Sequence, residues 1–319
     1  MAHLPHRQPA TAKDTHMTER ADGGRSQRYE GKQAIVTGGT RGIGEAAVRR
    51  LAAAGMSVVM VGRSDATLRQ AADRIRATVP DADLRLESAD LSLIREVRTL
   101  ADRLADSTSP SVVINNAAIT ADIGTRTDEG IQLTLATNHL APYVLMRTLV
   151  ESVKERPARF VVVGASPTVL RSYPVDLDDL HTQNARALGR FSSFRPFAAY
   201  ARTKNMNTMF VYSLARRVAD SGITVNGAHP GIIAQTGLSR DARGLGKMLD
   251  TMVNLNPLRK TPDQGADNPV WVATDPGLDG VNGRFFVDRK QVTTPDHTLS
   301  VERCEALWER SAELVGMQP

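Results

Sequence analysis

Tyr200 and Lys204 stand four residues apart in Tyr200-Ala201-Arg202-Thr203-Lys204, so on a helix they share one face, a turn apart. A free phenol holds its proton up to a pKa of about 10. An ammonium beside it favours the phenolate and lowers that value. Tyr200 could then give a proton to a carbonyl oxygen as hydride arrives, or remove it in the reverse reaction. Two further polar residues suit the same chemistry. Ser166 closes Val163-Gly164-Ala165-Ser166 and could hold a substrate oxygen; the competing reading is a turn serine bonded to its own backbone. Asn138 lies within a long helical pattern, where asparagine is unfavourable. It could bend the helix and hold a water near Lys204, or be a satisfied structural residue.

A second constellation suits a dinucleotide. An apolar run enters Thr37-Gly38-Gly39-Thr40-Arg41-Gly42-Ile43-Gly44, and a helical pattern opens there. In such a loop one glycine permits the tight turn, one lets the backbone approach a pyrophosphate, and one lets helix and strand pack closely. Free N–H groups at the helix start then face the phosphates. The next apolar run ends in Gly62-Arg63-Ser64, where an acidic residue would select NAD. Arg63, with Arg41 as a second cation, instead suits a 2′-phosphate. Both arginines also read as solvated surface residues, and Asp65 offers a ribose contact. Asp90-Leu91 follows the third run, as an acceptor for an adenine amino group or as a helix cap. Asn115-Asn116-Ala117-Ala118 follows the fourth, with small residues that let the chain pass close to a ribose.

These groups need a scaffold. Short apolar runs at 34–36, 57–61, 84–86, 112–114, 160–163, 224–225 and 284–287 alternate with helical patterns at 45–54, 66–79, 94–104, 131–153 and 198–219. Fully apolar strands separated by amphipathic helices predict an α/β fold: one Rossmann-type domain, a doubly wound parallel sheet of about seven strands with helices on both faces. The ligand crevice then lies at the carboxyl ends of the strands. Residues 1–28 lack apolar periodicity and read as a disordered tail, with Met17 as a candidate start. The domain spans 29–319, with a substrate-lid region at about 232–262 and a C-terminal helix at about 301–315.

Taken together, the glycine loop, Asp90-Leu91, the turn from Asn115 to Ala118, Asn138, Ser166, Tyr200/Lys204 and His229-Pro230-Gly231 resemble, in order and spacing, the short-chain dehydrogenase/reductase family. Asn138-His139-Leu140, the stretch from Asp176 to Leu180 and the tail from Gly283 to Asp288 look closer to its retinol-dehydrogenase-like branch. The resemblance covers about residues 30–316. It implies a catalytic tetrad of Asn138, Ser166, Tyr200 and Lys204. It implies cofactor contacts from Gly38, Thr40, Arg41, Gly42, Ile43, Gly44, Arg63, Asp90, Leu91, Asn116, Ala117, Tyr200, Lys204, Pro230, Gly231 and Ile233, with Lys204 on the nicotinamide ribose. The cofactor expected is NADP, with NAD as the alternative. The chain departs from the family pattern at Ala118, where a glycine is usual, and at Ala165-Ser166, where serines are paired. A shifted register would put Ala165 in the catalytic place. Gln235 or Thr236 takes the slot of the usual carboxamide-contacting threonine.

Composition excludes several other classes. A net charge of +5 is dispersed along 319 residues, with no basic stripe interleaved with aromatics and no metal-ligand spacing, which argues against nucleic acid and against a bound metal. No apolar run is long enough to span a bilayer, and the lone Cys304 excludes an internal disulfide; both suit the cytoplasm. Phe191, Phe194, Arg195 and Phe197, with Leu238, Leu245, Met248, Leu249 and Met252, form a candidate substrate wall, hinged at Gly244 and Gly246, or plain packing. The expected partner is a small carbonyl or alcohol substrate, and the expected assembly a homodimer or homotetramer. The reading is an NADP(H)-dependent oxidoreductase reducing a lipophilic or secondary-metabolite ketone or aldehyde. The alternatives are an epimerase or dehydratase of this fold that retains its cofactor, and a non-catalytic NADP-binding redox sensor or scaffold.

Overall fold

The computed structural model describes residues 29–153, 155–233 and 259–319; the expected tail and most of the expected lid, 234–258, lie outside them. Eight strands form one sheet in the order β3-β2-β1-β4-β5-β6-β7-β8. They are β1 Gln33–Thr37, β2 Ser57–Gly62, β3 Leu84–Ser88, β4 Pro110–Asn115, β5 Ala158–Val163, β6 Ile223–His229, β7 Phe285–Val287 and β8 Lys290–Val292. The first seven run parallel, and β8 returns antiparallel on β7. The sheet therefore carries one strand more than the sequence pattern predicted. Its hairpin turn is Asp288-Arg289, with both φ angles positive at 48° and 60°. That turn geometry usually advertises itself by Asn-Gly or Asp-Gly, and here the second residue is arginine.

Alternate residues of each strand enter opposite cores. Ile35, Val59 and Val61 join the helices Ile94–Ser107, Ala141–Val153, Arg195–Arg217 and Val301–Val315 on one face. Ala34, Val36, Val58 and Met60 join the helices Gly42–Ala53, Asp65–Arg76 and Pro262–Thr274 on the other. Burial on both faces is why the strands read as unbroken apolar runs. Because β2 and β3 lie to one side of β1 and β4 to the other, the strand order reverses between β1 and β4, which opens a crevice at their carboxyl ends.

The helix Pro262–Thr274 is not visible in the apolar pattern, because Gly265, Asn268 and Pro269 interrupt it. Its start is nonetheless built by local rules. Thr261 and Gln264 form a reciprocal capping box, with Gln264 N donating to Thr261 Oγ1 at 3.2 Å and Thr261 N to Gln264 Oε1 at 2.9 Å, and Pro262 fills the first turn. The last helix, Val301–Val315, is locked by Trp308: its carbonyl accepts from Tyr143 Oη at 2.9 Å, and Arg217 stacks with its guanidinium carbon 3.8 Å from the indole centroid. No helix of the described residues is long and apolar enough to cross a membrane.

Candidate active site

At the end of β1 the chain turns through Gly38, at φ +67°, and enters the helix Gly42–Ala53 through Arg41 in extended conformation. A Cβ on Gly44 would lie 2.1 Å from the Gly38 carbonyl oxygen, so only glycine lets the helix settle onto the turn. Gly42, at φ +56°, has nothing within 4 Å of where a Cβ would stand, leaving its backbone open. These are a closely packed glycine and an open one, as a pyrophosphate cradle requires.

The loop after β4 braces this turn. Thr37 Oγ1 accepts from the backbone N–H groups of both Asn116 and Ala117 at 3.1 Å. Asn116 Nδ2 donates to the Thr37 carbonyl at 3.0 Å and approaches that of Gly38 at 3.4 Å. Asn116 thus holds the glycine loop in shape, and Thr37, which sequence reasoning passed over, ties β1 to β4. A Cβ on Gly62 would meet Thr40 Cγ2 at 2.7 Å, so β2 ends against the glycine loop, and Arg63 is the next residue along the chain. Arg63 is exposed and forms no ion pair among the described residues. Asp90, with Leu91 beside it half-buried, uses Oδ1 to accept from Ser92 N at 2.9 Å and Ser92 Oγ at 2.7 Å. It shapes its own turn rather than capping the helix that follows, whose first N–H groups go to the Glu129 carboxylate at 2.6 and 3.0 Å.

On the opposite wall, Pro230 and Gly231 follow β6, and Gly231 adopts φ +93°. Ile233 forms a parallel bridge with Lys260. Ile233 and Ile43 converge on Gly265, where a Cβ would lie 2.5 Å from Ile233 Cδ1 and 3.2 Å from Ile43 Cγ1. The helix Pro262–Thr274 therefore joins the glycine loop to the Pro230-Gly231 turn. Asn268 on that helix donates to the carbonyls of His229 and Phe286, both at 2.9 Å, and fixes the ends of β6 and β7. No sequence signal marked it, because its helix was not recognised. Gln235 and Thr236 lie outside the described residues.

The helix Arg195–Arg217 brings Tyr200 and Lys204 to the carboxyl end of β5. Lys204 is 3% exposed; its Nζ donates to the Val163 carbonyl at 2.8 Å and stands 5.5 Å from the Tyr200 ring centroid. The chain leaving β5 reaches Ser166, half-buried, whose Oγ accepts from Val169 N at 3.3 Å as the cap of Pro167–Ser172. The Ala165 side chain packs with Leu170 and Phe285. Asn138 sits in a π-turn, Ala136–Leu140. Its Nδ2 donates to Ile119 O at 2.9 Å and to Thr203 Oγ1 at 3.1 Å, and its Oδ1 accepts from Ile119 N at 2.8 Å. Asn138 thus couples the loop beyond Asn116 to the helix that carries Tyr200 and Lys204.

The electrostatics differ from the expectation for an ammonium acting alone. Burial pushes the Tyr200 phenol up to about 12 and the Lys204 ammonium down to about 8. Desolvation penalises the phenolate and the ammonium alike, and here it outweighs their attraction across the ring. Tyr200 therefore keeps its proton at neutral pH.

With this geometry established, comparison with known proteins gives one answer. A short chain dehydrogenase profile matches residues 32–175. Retinol dehydrogenase 14 of Mus musculus is 29% identical, over 92% of this chain and 89% of its own. A Streptomyces sp. (strain C5) protein, DnrU, assigned as a daunorubicin C-13 ketoreductase, is 32% identical over 90% of this chain and 93% of its own. The crystal structure of an uncharacterized protein from Mycobacterium Paratuberculosis shares the fold with a TM-score of 0.68 at 24% identity, covering 91% of this chain and 95% of that one. The chain belongs to the short-chain dehydrogenase/reductase family of oxidoreductases, whose cofactor is a nicotinamide dinucleotide, in its retinol-dehydrogenase-like branch.

Proposed function

We propose that this protein is an NADP(H)-dependent oxidoreductase that moves a hydride between the nicotinamide and a carbonyl or secondary alcohol, reducing a lipophilic or secondary-metabolite ketone or aldehyde in the cytoplasm. The observation that carries the proposal is Tyr200 beside a buried Lys204 at the end of β5, with Ser166 on the segment that leaves the strand. When bound, the dinucleotide supplies the hydride. Tyr200 holds its proton at neutral pH and gives it to the carbonyl oxygen. The Lys204 ammonium then offsets the charge left on the phenolate. Ser166 orients the substrate oxygen. Gly38, Thr40, Gly42, Ile43 and Gly44 take the pyrophosphate, and Arg63 with Arg41 takes the 2′-phosphate.

A lipophilic substrate is supported by the aromatic path that leads to the phenol. Phe197 packs 6.1 Å from Tyr200 and 5.8 Å from Tyr173, centroid to centroid. Phe191 and Phe194, 6.5 Å apart centroid to centroid, stand exposed at 66% and 37%, an apolar surface that a hydrophobic ligand would cover. The relatives named for retinol and for the daunorubicin C-13 ketone agree in kind. The test is oxidation of NADPH, followed by absorbance, with a panel of hydrophobic ketones and aldehydes. Wild type turns over and Tyr200→Phe loses at least about a hundredfold in kcat, while binding of the dinucleotide stays within about twofold. Equal activity in the two proteins overturns the assignment of the acid.

A further inference from the structure

Asn138 has a backbone carbonyl with no α-helical partner on its own helix. The residue four positions on is Pro142, which has no N–H to give. That carbonyl instead accepts from Asn207 Nδ2 at 2.8 Å, across to the helix of Tyr200 and Lys204. From there a buried chain of contacts runs on: Asn207 Oδ1 lies 3.2 Å from His139 Nδ1, and His139 Nε2 lies 2.9 Å from Ser311 Oγ on the helix Val301–Val315. All four residues are at most 3% exposed.

The Asn138 carbonyl sets the direction of the bonds that follow it. A carbonyl can only accept, so Asn207 presents its NH2 to Asn138 and its oxygen to His139. That oxygen needs a hydrogen from Nδ1. Burial pushes the His139 imidazole down to about 4, so it is neutral and has one N–H to give. Nε2 must then accept, so the Ser311 hydroxyl, which also lies 2.7 Å from the Leu307 carbonyl of its own helix, turns its single hydrogen to His139 in the relay. Tyr143 and Phe210 close the ring in, with centroids at 6.1 and 6.3 Å.

We infer that Ser311, His139 and Asn207 form a positioning relay that holds the Asn138 carbonyl at the level of Lys204 and couples the C-terminal helix to catalysis. Asn138 is gripped at two points of the helix Arg195–Arg217: its side chain bonds Thr203 and its carbonyl bonds Asn207, one turn on, with Lys204 between them. If the relay fails, the spacing between the Asn138 turn and the helix of Lys204 is no longer set, although no member of the relay touches the reacting atoms. The kinetic arm of the test rests on the proposed hydride transfer, and the spectroscopic arm does not.

In protein labelled with 15N in its histidines, His139 is expected as the neutral tautomer with Nδ1 protonated and Nε2 bare. His139→Leu lowers kcat about tenfold and moves the alkaline limb of the pH profile, because small misplacements at a reacting centre are costly, while the Kd for NADPH stays within about twofold. Ser311→Ala gives a smaller loss in the same direction. His139→Gln, which can offer an amide N–H to Asn207 and an oxygen to Ser311, recovers most of the rate. Finding the Nε2–H tautomer or an imidazolium at neutral pH overturns the relay. So does a folded His139→Leu, or a Ser311→Ala protein, with the wild-type kcat and pH profile. Should wild type bind NADPH and reduce no carbonyl, the hydride-transfer reading fails and the tautomer alone decides the relay.

Discussion

Asn138 and Ile119 pair edge to edge: the carboxamide oxygen of Asn138 accepts from Ile119 N at 2.8 Å and its nitrogen donates to Ile119 O at 2.9 Å, as a strand neighbour would. Since the same nitrogen also reaches Thr203, one buried side chain joins the loop beside the dinucleotide cradle to the helix of the proton donor. Asn138→Asp puts a carboxylate oxygen against the Ile119 carbonyl and leaves Thr203 without its donor. The expected cost is at least about 2–3 kcal/mol. It should appear as a Tm lower by several degrees, together with a fall in turnover. An unchanged Tm would show that the pairing contributes nothing to stability.

Thr37 is the corresponding fastening on the cofactor side. It is 2% exposed and takes two backbone N–H groups. Thr37→Val keeps the shape and removes both acceptor lone pairs. Orphaning two amides should cost about 2–4 kcal/mol. NADPH binding should weaken as the Asn116-Ala117 turn loosens. Chemical denaturation and a binding titration on the same variant check both effects.

Arg63 carries the expectation of cofactor choice. Charge-assisted hydrogen bonds contribute about 1.5–3 kcal/mol each. Arg63→Ala should therefore raise the KM for NADPH by roughly ten- to a hundredfold and leave that for NADH within about threefold. Comparable effects on the two cofactors would remove the 2′-phosphate from the assignment.

Reduction needs Tyr200 protonated and Lys204 charged. With the phenol pushed up to about 12 and the ammonium down to about 8, lysine sets the alkaline limit. The kcat/KM for a ketone should hold below about pH 8 and decline as pH rises through it. Lys204→Arg, whose guanidinium stays charged, should be slower but lose that limb. A wild-type profile flat to pH 10 would contradict the lysine assignment.

Stability should respond to acid through His139. The unfolded imidazole takes a proton near its ordinary 6.5, whereas the folded one takes it only at about 4. The unfolded chain binds more protons between these values, so stability is whole above 6.5 and is lost as pH falls towards 4. The full loss is on the order of 3 kcal/mol. The half-exposed His229, also pushed down to about 4 by burial, acts in the same window with less weight. Glu305, held down to about 2 by Arg217 and Arg216, acts only below its ordinary 4.5. His139→Gln should flatten the Tm-versus-pH curve between 6.5 and 4 and leave the steeper acid side in place.

What the sequence determined by itself is what local geometry determines. Apolar runs at 34–36 and 57–61 can only be strands buried on both faces, Gly38 and Gly44 can only be a tight turn packed on a helix, and Tyr200 and Lys204 must share a helical face. Even the missing α-helical partner of the Asn138 carbonyl is written in the chain, since Pro142 stands four residues on. Tertiary structure decided whatever depends on a partner far along the chain or on burial. Glu129 caps the helix that begins at Ile94, Asn268 ties β6 to β7, and Ile43 meets Ile233 at Gly265; no local pattern encodes such pairings. The turn into β8 lacks the usual glycine, and the helix Pro262–Thr274 is broken in pattern by Gly265, where Ile233 leaves no room for a Cβ, and by Asn268, which bonds the ends of β6 and β7. The proton affinities of Tyr200 and Lys204 moved opposite to what spacing suggested, because desolvation is set by everything packed around a group and attraction by one neighbour alone.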